Sequence, residues 1–457
     1  MTEAAVVPAP LSPPSRLFRW IVLVFVSLAM FGNYYVYDCI APVADLLSKQ
    51  LGFSDSNIGL LQGIYSVPNV IMVLIGGIIV DRIGTRKSIF LFGVLCMIGA
   101  LIPAFPDPIA NALHVRLLYV MASGRLVFGL GAESLIVAVT CAVAKWFKGK
   151  ELSFAFGINL TIARFGSWLA QNSPSWARGH YLNWRSPLVL SVMFGTFCVI
   201  GPIIYWALEA YAEKHYELAQ GSTDKVVWKD IYKFGVSYWY IVALCIVFYS
   251  AIFPFETFAY KLFMDSHQAT REAAGALVGM LTLFTMIGTP LFGLFADKIG
   301  KRALLMMFGS CLLIPVYLMM AYWHSASHLT LHIPFLGIFE LPTVLLVSMS
   351  MMGVAFALIP AVMWPSVAYI VEGNKLGTAY GLMTMIQNIG LAGFNFLIGW
   401  ENDYAHASAT NPNGYRLGMW TFSVLGFLGL MFAFLLRQRE LGPHGHGLET
   451  ITASGSK

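Results

Sequence analysis

Between Arg19 and Asp38 the chain carries no charged side chain, and the same holds from Lys233 to Glu256 and from Glu272 to Asp297. Runs this long fix the solvent before they fix the fold. An α-helix needs about 20 mostly apolar residues to cross the hydrocarbon of a bilayer. In lipid each spanning segment has to satisfy its own backbone polar groups, so these runs are helices. Composition agrees: the 457 residues are 58% hydrophobic and 11% charged, against about 25% charged for a soluble domain.

Hydropathy predicts twelve spans, at roughly 18–40, 58–80, 88–106, 116–144, 151–172, 187–208, 235–259, 274–296, 303–323, 341–368, 375–399 and 415–437. The fold class is an all-α polytopic membrane protein built as two six-helix, pseudo-symmetric bundles. The expected layout is a disordered tail over 1–17, a first bundle over 18–208, a charged linker over 209–234, a second bundle over 235–437 and a disordered tail over 438–457. The first span is too long for a cleaved signal peptide, and no small-residue cleavage site follows it.

Of the 28 lysines and arginines, nineteen fall on the side holding both termini, seven on the other, and two (Arg125 and Arg164) within spans. The positive-inside rule therefore puts both termini in the cytoplasm. No basic, aromatic-interleaved patch suggests nucleic acid as a partner. The six cysteines fall in or at the ends of spans without metal or disulfide spacing, and the histidines are scattered. No metal, cofactor or nucleotide-binding loop is expected, and no nucleophile or acid–base pair points to an enzyme.

The halves repeat. Gly77, Asp81 and Gly84 in GIIVDRIGTRK recur 216 residues later as Gly293, Asp297 and Gly300 in GLFADKIGKR. Gly129, Gly149, Gly157 and Gly166 recur 224 residues later as Gly353, Gly373, Gly381 and Gly390. Parallel repeats of this kind hold a substrate between halves near the midplane. The repeated loop reads as a cytoplasmic latch: glycines for close helix approach, Asp81 and Asp297 to cap a helix or meet a cation, and Arg82, Arg86, Lys87 and Lys298 at the surface. A plain topology-setting basic loop is the alternative.

Two charges lie deep in spans: Glu133 in GAESLIVAV of the fourth and Arg164 in INLTIARFGS of the fifth. A charge at the centre of a membrane helix costs about 2.5–3.5 kcal/mol on insertion scales, so it belongs to a cavity or a partner. The repeat sets Ala357 against Glu133 and Asn388 against Arg164, so the second half uses the same scaffold without either charge. The pair suits a zwitterion. Glu133 neutralises an ammonium, and Arg164 grips a carboxylate through two parallel hydrogen bonds. A dipeptide's termini lie roughly 6–7 Å apart at ~3.3–3.6 Å per residue. The competing arrangement is a permanent Glu133–Arg164 bridge.

The loop Gly77–Lys87 and the run Arg125, Gly129, Gly131 resemble signatures of the major facilitator superfamily. GRLVFGLGAESLIVA, WFKGKELSFAFG, ARFGS, Phe253-Pro254-Phe255, Trp364-Pro365 and LGTAYGLMTMIQNIGLA are similar to a narrower branch, the lysosomal dipeptide transporters of animals. That resemblance implies alternating access for dipeptides, as uniport or coupled to protons, with Glu133 and Arg164 in the site. Phenols and amides that can bond a peptide's own amide, with aromatic rings, complete the expected pocket: Tyr34, Tyr37, Tyr65, Tyr249, Phe253, Trp364, Gln387 and Asn388. The resemblance favours Trp364 and Asn388 among them and gives Arg125 a part in proton coupling. A helix-packing role is the alternative for Arg125. Asp38, at the end of the first span, is read as a titrating group, a part of the outer gate or a plain helix cap, and Glu133 as a further candidate to carry a proton. The tail before Arg16 has no acidic dileucine signal, so a bacterial-type cytoplasmic membrane is expected over a lysosomal one, without the accessory glycoprotein of the animal proteins. An organic-anion carrier of the same fold and a non-transporting receptor or scaffold are the rival functions.

Overall fold

A computed structural model describes residues 14–147, 151–216, 234–323, 327–333, 336–372 and 375–452, the side chain of Ser153 apart. Twelve long helical segments follow one another: α1 (Arg16–Asp38), α2 (Asp55–Ile83), α3 (Thr85–Ala104), α4 (Leu117–Phe147), α5 (Leu152–Gln171), α6 (Arg185–His215), α7 (Val236–His267), α8 (Arg271–Ile299), α9 (Arg302–Tyr322), α10 (Thr343–Ile370), α11 (Leu376–Tyr404) and α12 (Arg416–Leu441). Among the described residues, eleven helices are long and apolar enough to cross a membrane. The twelfth, α5, is 20 residues long and carries Asn159, Thr161, Arg164 and Ser167. Its polarity is what marks it as a wall of a cavity.

Helices α1–α6 and α7–α12 form two bundles with separate apolar cores, one around Phe128, Leu135 and Tyr205, the other around Phe255, Tyr317 and Met352. Glycine brings their helices together. A Cβ at Gly129 would sit 2.2 Å from the Tyr65 carbonyl oxygen, and one at Gly166 2.3 Å from that of Phe31. Both close approaches occur only because the side chain is missing. The first fixes Tyr65 at a break in α2, between helical pieces Asp55–Gly63 and Ser66–Ile83. Pro68 supplies no N–H for the Ile64 carbonyl, which accounts for the break.

Three features depart from expectation. Helix α7 runs to His267, eight residues past the predicted end. Hydropathy stops at Glu256, Lys261 and Asp265, yet the last two are partnered: Lys261 pairs with Asp55, and the Tyr415 hydroxyl donates to Asp265 (2.6 Å). A hairpin of β1 (His328–Ile333) and β2 (Gly337–Pro342) joins α9 to α10, with Phe339 and Leu341 buried beneath it.

The third departure is in the tail over 438–457, which is ordered through Thr452. Leu448 is fully buried, and its carbonyl accepts from the Arg302 N–H (2.9 Å). The Glu449 carboxylate accepts from the N–H of Leu304 (3.1 Å) in the first turn of α9, satisfying a donor that has no partner inside the helix. A glycine- and histidine-rich composition hides this cap. Of the disordered tail expected over 1–17, residues 1–13 lie outside the described residues, while α1 already begins at Arg16; 453–457 and most of the linker (217–233) lie outside them too.

Candidate substrate-binding site

The bundles meet through polar contacts at the end opposite Arg16 and Leu441. Lys261 pairs with Asp55 and Arg271 with Asp45. Asp403 accepts from the N–H groups of Asp55 and Ser56 (both 2.8 Å), and the Asn402 side chain donates to Asp55 (2.9 Å). Deeper in, the Thr282 hydroxyl donates to the Gln171 side chain (2.6 Å) and the Tyr260 hydroxyl to its carbonyl. These contacts seal that end over a cavity of about 260 Å³ at the junction of the halves.

Helical spacing decides what faces this cavity. From α1 come Asn33, Tyr34, Tyr37 and Asp38; from α5, Arg164, Ser167 and Gln171; from α7, Tyr249, Phe253 and Glu256; from α11, Thr384, Gln387 and Leu391. Each set follows the three- and four-residue steps of one helix face. Tyr65, Glu133, Ile136, Thr282 and Trp364 complete the wall. Nine of the ten residues expected in the pocket are therefore together, with Asp38 beside them.

Asn388 is the exception. It is one step from Gln387, so the helix turns it about 100° away. It is 1% exposed, and its amide donates back to the Thr384 carbonyl (3.0 Å). Glu256 is the residue that sequence reasoning misses. It closes an uncharged run near the predicted end of its span, and it stands seven residues after Tyr249 and shares its face.

Glu133 and Arg164 share the cavity without pairing. Glu133 accepts from the Tyr65 hydroxyl at 2.8 Å. The Arg164 guanidinium sits over the rings of Tyr34 (5.6 Å) and Phe356 (5.7 Å), within cation–π range. Among the described residues no ion pair joins them, so the permanent bridge is not what forms. Aromatic rings hold Arg164 in place while leaving its five N–H donors for an anion.

Around these charges the walls are braced. Trp364 donates from its indole to the Tyr249 hydroxyl (2.9 Å), Tyr380 donates to the Trp364 carbonyl (3.2 Å), and Tyr249 stacks on Phe253. Arg125 lies behind the wall, 1% exposed. It donates to the carbonyls of Val36 (2.9 Å), Tyr37 (3.2 Å) and Leu61 (3.2 Å) and to Gln62 (3.0 Å). A cation there satisfies the open carbonyls at the C-terminal end of α1, contacts of the kind a helix-packing arginine makes. It fixes Tyr37 and Asp38 from behind.

A second cavity, of about 300 Å³, meets the first at Arg164, Tyr249 and Trp364 and extends toward the end holding Arg16 and Leu441. It runs between α5, α8 and α10.

The repeated loops lie at that same end. Gly84 and Gly300 both take positive φ (84° and 75°), the turn geometry that the shared glycine allows. Asp297 pairs with Arg302 (2.9 Å), Arg86 with Glu213 (3.0 Å), and Thr85 donates to Glu209 (3.2 Å). Each of these contacts stays within its own half. Asp81, Arg82, Lys87 and Lys298 are exposed.

Two six-helix halves around a charged central cavity define the class. The sequence profile of the Major Facilitator Superfamily matches residues 26–331 and 256–451, and the chain belongs to that family: a multi-pass membrane transporter of small molecules, not an enzyme. Within it, the chain is 31% identical over 395 residues to "Lysosomal dipeptide transporter MFSD1" of Danio rerio, covering 84% of this chain and 80% of that one. It is 31% identical over 406 residues to the Homo sapiens protein of the same name, covering 85% and 81%. Among solved structures, a bacterial homolog of the human lysosomal transporter Spinster, inward-facing and occupied, superposes with a TM-score of 0.71 at 16% identity, over 93% of this chain and 98% of that one. The nucleoside transporter NupG superposes at 0.63 and 16% identity, over 91% and 99%.

Proposed function

We propose that this chain moves dipeptides across a membrane by alternating access, with Glu133 receiving the ligand's ammonium and Arg164 its carboxylate. One observation carries the proposal: two opposite charges line one cavity, unpaired, with Arg164 held by rings instead of by a carboxylate. A site of this kind offers a zwitterion a partner for each of its charges. The names of the MFSD1 relatives point the same way. The phenol of Tyr65 steadies Glu133, and Gln387 and Trp364 lie where a peptide amide can be bonded. The rival organic-anion substrate fits less well, because Asp38, Glu133 and Glu256 all face the cavity against the single guanidinium of Arg164.

The end sealed by Asp55–Lys261 and Asp45–Arg271 is the outer gate in this account. The end with the basic loops is cytoplasmic by the charge rule, and the loops around Asp81 and Asp297 act as the latch that engages when that end closes. Asp38, Glu133 and Glu256 are the titratable groups available for proton coupling. Liposomes holding the purified chain are offered a dipeptide, a free amino acid and an organic acid, with and without a pH gradient. Saturable dipeptide uptake, lost in both Glu133→Gln and Arg164→Ala, is expected; uptake that survives either change contradicts the assignment. Dependence on the gradient separates symport from uniport.

A further inference from the structure

We infer that the second cavity is the subsite for the side chain of a dipeptide's C-terminal residue, and that it selects a large apolar side chain there. This rests on the placement of the ligand termini at Glu133 and Arg164. Arg164 lines both cavities, whereas Glu133 lines only the first. A ligand whose carboxylate is held by Arg164 therefore has its second residue at the junction, while its first residue stays beside Glu133.

The chemistry of the two cavities differs. Three carboxyl groups face the first. None lines the second, whose wall is built from Leu160, Met286, Pro290, Phe356 and Pro360, with threonine hydroxyls between them. An apolar side chain gains from leaving water for such a wall, and a methionine there adapts its shape to the occupant. The space is about 300 Å³. It continues past Gly157, where an added Cβ would meet no atom within 4 Å. At the equivalent place in the ligand's first residue, a side chain meets the polar, acidic cavity instead. The site is thus directional: it distinguishes a dipeptide from the same two residues in reverse order.

The test uses the full chain in detergent and two sequence isomers, Gly-Leu and Leu-Gly, with affinities from calorimetry. Gly-Leu is expected to bind roughly tenfold more tightly, the effect of burying one leucine side chain. Gly157→Leu projects a side chain into the open space and suits a helix better than glycine; it should bring the ratio of the two affinities toward one. Met286→Ala widens the same cavity and should shift preference from Gly-Leu toward Gly-Trp. Equal binding of the isomers by the unaltered chain, or a ratio unmoved by both substitutions, overturns the subsite and leaves the dipeptide assignment standing. Binding of neither isomer overturns the dipeptide assignment and the subsite with it.

Discussion

The two halves of this transporter share a scaffold and divide the work. Gly129 and Gly353, and Gly166 and Gly390, occupy equivalent places and allow close helix contacts in both halves. The charges do not repeat. Where the first half turns Glu133 into the cavity, the second has Ala357, 0% exposed and packed in the bundle. Where the first presents Arg164, the second has Asn388, bonded to its own helix. Close packing is needed twice because there are two bundles. Both halves line the central cavity, and the second contributes rings, one amide and one carboxylate to it through Tyr249, Phe253, Trp364, Gln387 and Glu256.

Substitutions that blur this division should fail in order of how much buried charge they disturb. Ala357→Glu puts an unpaired carboxylate into a closed bundle, a change worth several kcal/mol; it should abolish the monodisperse peak in detergent chromatography. Arg164→Ala leaves the fold intact, since the guanidinium faces a cavity, and should weaken dipeptide binding about a hundredfold by calorimetry. Tyr65→Phe removes one hydrogen bond to Glu133 and should cost about fivefold, read in the same way. Asn388→Ala should change affinity by less than about twofold, because the amide does not reach the cavity; a loss as large as that of Arg164→Ala would return Asn388 to the site.

Much of this arrangement is legible in the amino-acid order. Uncharged runs set the helices, constant offsets set the two halves, and the cost of charge in lipid singles out Glu133 and Arg164. What escapes the sequence is local. Glu256 reads only as the charge that closes an uncharged run, because hydropathy counts charge without asking which way it faces, although the step from Tyr249 puts it on the cavity side. Asn388 enters the expected pocket as an amide beside Gln387, favoured by the resemblance, and one residue's rotation moves it from wall to core. The docked tail depends on contacts of Leu448 and Glu449 with Arg302 and Leu304, more than 140 residues away in sequence, which no local pattern announces.

The claim that Glu133 reads the ligand's amine can be isolated chemically. Calorimetry would compare a dipeptide with its N-acetylated form on the unaltered chain and on Glu133→Gln. Acetylation removes the ammonium and should weaken binding to the unaltered chain roughly thirtyfold. On Glu133→Gln, where the partner carboxylate is already gone, acetylation should cost almost nothing more. If the two losses simply add, the amine and Glu133 do not meet, and the account of this cavity is wrong.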